Sequence, residues 1–281
     1  MNKKMNHTEK RINHTAKHRK LLILMMCVLA AAFALAGCGS GGGEQDAPDT
    51  ETTQAAAEDT AKAGEDGSGE DVADGDEDAE AEAPTLLYMG HASIRIVTGD
   101  DKVIYIDPFA GEGYDLPADL ILVTHDHYDH NNVDLITERS DDCRVITQKE
   151  ALEDGTFDLG YVTVEAVQAG NNPNHSISEC VGYVLTFAGG KSVYVSGDTS
   201  TTDQMAELAE KHIDYAFFCC DGVYNMDLEE AAECAALVQA KHNIPYHIVE
   251  AEDPDHFDAE RAEQFAAPDK MILQPGDEIT L

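Results

Sequence analysis

From Thr85 onward the chain is written in short apolar or alternating runs: "TLLYMG", "SIRIVT", "KVIYIDPF", "DLILVT", "CRVIT", "YVTVEAV", "CVGYVLTFA" and "KSVYVSGDT". Rich in Val, Ile and Tyr and separated by turn formers such as "TGDDK" and "AGGK", these runs predict strands. The period then lengthens. "TDQMAELAEKH" and "DLEEAAECAALVQAKH" carry apolar residues at helical spacing, and Asp227 opens the second as an N-cap with acids in its first turn. "DYAFF" and "IPYHIV" return to strand character, followed by a short helix over "DAERAEQFA" and a closing strand pair, "KMILQ" and "EITL". Strand-rich and helix-rich parts recur twice in order, which predicts a layered α/β domain with two sheets inside and helices outside. No repeat of the solenoid type is visible.

Upstream of Thr85 this patterning stops. The segment 1–37 begins with the basic "MNKKMNHTEKRINHTAKHRK", continues through an apolar stretch from Leu21 to Ala36, and meets Cys38 in "LAGC". That order resembles a bacterial lipoprotein signal, which implies cleavage before Cys38 and lipidation of its sulfur. The mature chain is then expected on the extracytoplasmic face of the cell membrane, held by lipid. The apolar stretch is short for a transmembrane helix of ~20 residues. Segment 38–84 is Gly, Ala, Thr, Asp and Glu with almost no apolar bulk, so it cannot offset its ordering entropy and reads as an acidic tether. As a flexible coil of roughly 45 residues it would span ~35–40 Å, more with charge repulsion. What remains, 85–281, is the size of one domain with a real core.

Charge narrows the partners. The chain has 18 Lys and Arg against 55 Asp and Glu, a formal net charge of −37, and much of its positive charge sits in the signal segment. An anionic surface repels phosphate backbones, so nucleic acid is not an expected partner; the same charge also serves simple solubility. Beyond Cys27 and Cys38 the thiols are Cys143, Cys180, Cys219, Cys220 and Cys234, an odd set that indicates no disulfide framework. Buried thiols acting as small hydrophobes are expected instead, including the adjacent pair Cys219 and Cys220 at a strand end.

The candidate chemistry lies in "THDHYDH", residues Thr124 to His130, directly after the almost wholly apolar strand "DLILV". Ligands of α/β sheets collect at the carboxyl ends of strands. His125 and His127, two apart, can reach one ion, and Asp129 and His130 can turn toward a second; neutral imidazole and carboxylate are the donors zinc favours. Three further candidates follow other strands: His175 in "NPNHSIS", Asp198 in "VSGDTS" and His247 in "IPYHIV". Taken singly each reads as a structural residue, but together with the loop they make seven donors, enough for two ions with positions left for water.

The run H-x-H-x-D-H at His125 to His130, then His175, then Gly197-Asp198-Thr199, then His247, resembles the signature of the metallo-β-lactamase superfamily, with Asp107 of "YIDPF" as its first part. More narrowly, "YMGHASIRI", "YNMDLEEAAE" and "LQPGDEITL" are similar to its compact metal-dependent hydrolases, which include the ascorbate-6-phosphate lactonase-like proteins. The resemblance implies a four-layer αββα sandwich. It implies one ion on His125, His127 and His175, a second on Asp129, His130 and His247, and Asp198 bridging both. Asp107 would orient a ligating histidine from behind. His91 in "GHAS" is placed near the ions as a substrate or proton partner, or is a core histidine. His256, in the unusually acidic segment after His247, is an alternative last ligand.

Two divalent ions, zinc or else manganese or iron, would lower the pKa of a shared water from ~15.7 toward ~7 and make a hydroxide nucleophile. The expected activity is hydrolysis of a small-molecule ester, lactone, amide or phosphodiester, with Asp129 passing a proton to the leaving group. The rival is a metal-binding surface lipoprotein without turnover. A β-lactamase proper is a third reading, against which the compact-branch motifs count.

Overall fold

The computed structural model of the protein describes residues 82–250 and 253–281. The signal segment, Cys38 and nearly all of the tether lie outside the described residues. Among those described, no helix is long and apolar enough to cross a membrane.

In chain order the strands are β1 (Thr85–Gly90), β2 (Ser93–Val97), β3 (Val103–Ile106), β4 (Ala118–Leu122), β5 (Arg139–Ile146), β6 (Thr156–Asp158) and β7 (Val162–Gln168). They continue as β8 (Val181–Phe187), β9 (Ser192–Val195), β10 (Tyr215–Cys219), β11 (His242–Tyr246), β12 (Val249–Glu250), β13 (Asp253–Phe257) and β14 (Glu278–Thr280). The α-helices are α1 (Gln148–Asp154), α2 (Leu228–Val238) and α3 (Ala259–Ala262). Two six-stranded sheets, ordered β14-β1-β2-β3-β4-β5 and β11-β10-β9-β8-β7-β6, form the inner layers, and β12 pairs with β13 apart from them. This is the αββα sandwich of the metallo-β-lactamase fold.

Each sheet mixes two kinds of pairing. In the first, β14, β1, β2 and β3 pair antiparallel, whereas β3, β4 and β5 run parallel. In the second, β6 to β9 pair antiparallel and β9, β10 and β11 run parallel. The parallel strands explain the unbroken apolar runs, because parallel strands are covered on both faces. On β3 and β4, Ile104, Ile106, Leu120 and Leu122 enter the core between the sheets, while Tyr105, Val103 and Ile121 fill a second, smaller cluster on the opposite face. Fully burying a side chain such as Ile121 contributes ~1.5–3 kcal/mol.

The helices differ from the expectation in detail. Asp227 does cap α2, its Oδ1 accepting from the N–H groups of Glu229 and Glu230 at 3.0 and 2.9 Å, an arrangement worth ~1 kcal/mol. The helix stops at Val238 because Gln239 turns left-handed, φ 56°, and the next strand already begins at His242. "TDQMAELAEKH" forms a 3-10 helix, Asp203–Lys211, and not an α-helix. "KMILQ" is not a strand: one bridge joins Lys270 to Asn243, and only "EIT" pairs, with β1. Asn243 spends its side-chain amide on the carbonyls of Ala240 and Pro268, which pins this segment without a ladder. The five described cysteines are free, and Cys180, Cys219, Cys220 and Cys234 are buried.

Candidate metal centre

The carboxyl ends of the parallel strands in both sheets meet at one place. Asp107 follows β3, the Thr124–His130 loop follows β4, Asp198 follows β9, Asp221 follows β10 and His247 follows β11. His175 comes from the loop between β7 and β8, and His91 from the β1–β2 turn. Backbone strain gathers here: His91, Asp107 and His247 all have positive φ, 51°, 47° and 58°. Such conformations cost of order 1–3 kcal/mol each for ordinary residues and persist where the surroundings impose them. Gly197, φ 60°, is needed beside Asp198, since a Cβ there would lie 2.7 Å from the Val181 carbonyl oxygen and 3.0 Å from Thr124 Cβ.

Hydrogen bonds fix the imidazole tautomers. Thr124 Oγ1 donates to Asp107 Oδ2 at 2.7 Å and the Thr124 N–H donates to Asp107 Oδ1 at 2.8 Å. With its proton so engaged, Thr124 Oγ1 accepts from His125 Nδ1 at 3.1 Å, leaving His125 Nε2 bare. His175 Nδ1 donates to Asn172 Oδ1 at 3.2 Å, which leaves its Nε2 bare, and His130 Nδ1 donates to Asp107 Oδ2 at 2.8 Å, which turns its Nε2 toward Asp198. Asp107 therefore stands behind His130 and holds its ring from the side away from Asp198.

The bare atoms converge in two groups around Asp198. His127 Nδ1 lies 3.0 Å from His125 Nε2 and 3.3 Å from His175 Nε2. On the other side Asp198 Oδ1 lies 3.3 Å from His130 Nε2 and 3.5 Å from His247 Nε2, while its Oδ2 is 3.4 Å from His175 Nε2. His91 and Asp129 join this inner side, with His91 Nε2 3.2 Å from Asp129 Oδ2. Donor atoms of His125, His127 and His175, of His91, Asp129, His130 and His247, and of His125, His130 and Asp198 form three sets, each mutually within 4.8 Å. His256 is exposed on β13 and belongs to none of them.

These donors fit cations better than they fit one another. His130 Nε2, Asp198 Oδ1 and both ring nitrogens of His247 are buried and make no hydrogen bond, although the first two are only 3.3 Å apart. Buried polar atoms left unpaired are costly, and these are aimed at shared points between them. Burial and the neighbouring His247 ring push the His91 pKa down to about 4. Burial and His130 push His125 down to about 2, so both rings stay neutral and ready to donate a lone pair. Burial also lowers His175, partly offset by Asp198. Burial opposes charge on Asp198, yet His247 and His130 hold it well below the usual carboxylate range. Burial likewise opposes charge on Asp129, but the bond from His91 and the charge of His130 keep it ionised. His130 goes the other way: despite burial, Asp198 and Asp107 on either side raise it well above the usual value.

Two supporting residues carried no sequence signal. Asn172 orients His175. Asp221 is buried, with Oδ2 3.7 Å from His247 Nδ1 and Oδ1 accepting the N–H groups of Val223 and Tyr224 at 2.7 and 2.6 Å. Beside the outer histidines opens a cleft of about 380 Å³, lined by His125, His127, His175 and residues of α1 and the 174–180 loop.

Residues 85–247, more than half of the chain and running from the first strand to the last of these histidines, match the beta-lactamase superfamily domain. The chain belongs to that superfamily. Within it, the relatives are UPF0173 metal-dependent hydrolases. One from Alkaliphilus metalliredigens is 31% identical over 196 residues, covering 58% of this chain and 84% of its own. One from Natranaerobius thermophilus is 28% identical over 225 residues, 70% of this chain and 99% of its own. A solved metal-dependent hydrolase from Parabacteroides distasonis superposes with a TM-score of 0.56 at 28% identity, over 67% of this chain and 92% of that one. The match leaves the residues before Thr85 and those after His247 outside it.

Proposed function

We propose that this metal-dependent hydrolase holds two divalent ions and uses them to cleave a small-molecule ester, lactone, amide or phosphodiester. The observation that carries the reading is the convergence of the donor atoms on Asp198, with His130 Nε2, Asp198 Oδ1 and both His247 ring nitrogens buried and without a hydrogen bond. His125, His127 and His175 would hold the outer ion, and Asp129, His130 and His247 the inner one, with Asp198 between. Three imidazoles with a carboxylate favour zinc, and manganese or iron are accommodated by similar donors. Ions bound here would lower the pKa of a shared water toward ~7 and polarise the scissile bond.

The chain's own residues do the rest. Asp107 and Asn172 keep the ligating rings in the right tautomer. Asp129, kept ionised, accepts a proton from the attacking water and returns it to the leaving oxygen or nitrogen, while the water oxygen bonds the electrophilic centre and the leaving group departs with its electron pair. His91 grips Asp129 through Nε2 and sets the direction of that transfer. The cleft on the outer side supports turnover over a purely metal-holding role, because it gives a substrate access to three of the ligands. The narrower resemblance to lactonase-like proteins rests on "YMGHASIRI", "YNMDLEEAAE" and the closing "LQPGDEITL". Lipidation at Cys38 would place the enzyme on the extracytoplasmic face of the membrane, and loss of lipid label in Cys38→Ala tests that.

For the chemistry, metal content of the purified chain is measured, and 4-nitrophenyl acetate, a γ-lactone and bis(4-nitrophenyl) phosphate are assayed before and after chelation. Hydrolysis of at least one should vanish on chelation and return with zinc or manganese. A rate that survives complete metal removal refutes the mechanism.

A further inference from the structure

We infer that Gln148 is the residue by which this cleft selects its substrate, its carboxamide pairing with a neutral amide group of the bound molecule that lies apart from the bond being cut. The inference rests on the hydrolytic reading above and adds to it a specificity residue and the chemistry that residue recognises.

The first observation is where the fold puts this residue. β4 and β5 are parallel neighbours with Leu122 opposite Ile146, and the Val123 N–H donates to the Ile146 carbonyl at 3.0 Å. Their carboxyl ends therefore stand side by side, where ligands of such sheets collect. Two residues past Leu122 the chain enters the histidine loop at Thr124, and two residues past Ile146 it reaches Gln148, the first residue of α1. Gln148 lines the same cleft as His125, His127 and His175. Its helix is anchored: Ala151, one turn on, is buried in the core between the sheets, which places Gln148 on the inward face.

The second observation is what the side chain does there. An inward helix face calls for an apolar residue, and this one carries an amide that is 5% exposed. Among the described residues nothing hydrogen-bonds that amide. Neither Oε1 nor Nε2 is sealed from solvent, so the amide opens into the cleft that the residue lines. Polar side chains buried to this degree are ordinarily paired within the protein. The other neutral amide and hydroxyl side chains of the wall follow that rule: Asn174 Nδ2 donates to the Tyr224 carbonyl at 3.3 Å, and Ser176 Oγ and Ser178 Oγ share a hydrogen bond of 2.8 Å. Of these four residues, Gln148 alone makes no bond of its own.

A carboxamide holds a donor and an acceptor side by side in one plane. A ligand group with N–H and C=O on one edge, as in a primary or cyclic amide, satisfies both, whereas a ketone satisfies only the donor. Sites that hydrogen-bond a substrate discriminate against the analogue lacking that group, because their own polar atoms are then left unpaired. With the helix fixed in the core, the amide would hold its partner in register with the outer histidines across the cleft.

The test compares kcat/KM of the zinc-loaded full chain on 4-nitrophenyl succinamate, glutaramate and adipamate with that on the matching methyl-ketone esters, in which CH3 replaces NH2, after subtraction of spontaneous hydrolysis. At the spacer length that fits, the amide ester should lead its ketone by about tenfold, the worth of one hydrogen bond. Gln148→Met, similar in size but without the amide, should erase that lead through KM. Its denaturant midpoint should hold or rise, since no bond within the protein is lost. Binding is read separately by NMR on the chelated, nitrogen-15-labelled chain: glutaramide should shift the side-chain amide resonances of Gln148, identified by their absence in Gln148→Met. Equal rates on amide and ketone at every length, a lead that survives Gln148→Met, a lowered midpoint, or resonances that glutaramide leaves unmoved overturns the inference, while metal-dependent turnover in those same assays still upholds the hydrolytic reading. Glutaramide shifts at Gln148 with no turnover of any ester do the reverse.

Discussion

The inner donors, His91, Asp129, His130 and His247, and the outer donors, His125, His127 and His175, share Asp198 but stand on different supports. Behind the inner rings are carboxylates: Asp107 at 2.8 Å from His130 Nδ1 and Asp221 at 3.7 Å from His247 Nδ1. Behind the outer rings are neutral groups, the Thr124 hydroxyl at 3.1 Å from His125 and the Asn172 amide at 3.2 Å from His175. His130 is fully buried, whereas His127 is exposed to the cleft. A carboxylate behind an imidazole makes it a better donor than a hydroxyl or amide does. An ion on the inner donors is therefore expected to be held for the life of the protein, and one on the outer donors, at the mouth of the cleft, to exchange.

The substitution with the largest expected effect removes what the two groups share. Asp198→Ala should abolish binding of both ions and cut hydrolysis by more than the ~10–100-fold that losing a supporting hydrogen bond costs. Metal content by plasma mass spectrometry checks it; two ions retained at full occupancy would break the assignment of Asp198 as the shared donor.

Acid comes next. In the chelated protein His91 titrates at about 4 and His125 at about 2, both below the ordinary histidine value. Below pH ~6.5 the unfolded chain takes up protons that these folded rings refuse, so stability falls as pH falls, by up to ~1.4 kcal/mol per pH unit for each group. His130 has the opposite sign: its raised value adds stability that is lost as pH rises above ~6.5. Denaturant midpoints of the chelated chain should thus drop steeply from pH 6 to 4, and His91→Asn should make the slope shallower. A flat profile across that window would mean that neither ring is held neutral.

The contrast between the groups was only partly legible in the sequence. The histidine loop announces itself because imidazole and carboxylate crowd after an apolar strand, and the strand ends that carry Asp198 and His247 follow the same grammar. Asp107 was placed behind a histidine by resemblance, and it bonds His130. Asp221 is one acid among 55 and is distinguished only by where β10 ends, so nothing local could nominate it. Asn172 sits in "NNPNH", a run that reads as turn chemistry whatever else it does. Among the elements, "KMILQ" has a strand's composition but a single bridge to Asn243, because side-chain amide bonds there do the work of a ladder. Composition sees propensity; it does not see which partner is within reach.

Smaller effects separate the two supports. Asp107→Asn keeps the shape behind His130 but removes the charge, and an ion on the inner donors should weaken ~10–100-fold, one on the outer donors less, through the Thr124 hydroxyl that Asp107 holds against His125. Competition against a chromophoric chelator resolves the two affinities, and equal weakening of both ions would show that the groups are not independent.

Asn172→Ala is the mildest of these changes and the most informative about the outer group. The Asn172 Oδ1 accepts from the backbone N–H groups of Asn174 and His175, both at 2.9 Å, and from His175 Nδ1 at 3.2 Å. One oxygen therefore holds both the loop and the ring that it presents. Because the surrounding loop is exposed, water can replace part of what is lost, and the stability cost should stay near ~1 kcal/mol. The outer ion should weaken about tenfold, at the low end for such supports, with the inner ion unchanged. Asn172→Asp then asks whether the support alone makes the difference. A carboxylate in that place gives His175 the kind of partner that His130 already has, so the outer ion should tighten and exchange more slowly. Were it to bind no better than in the parent chain, exposure to the cleft, and not the group behind the ring, would be what sets the two ends apart.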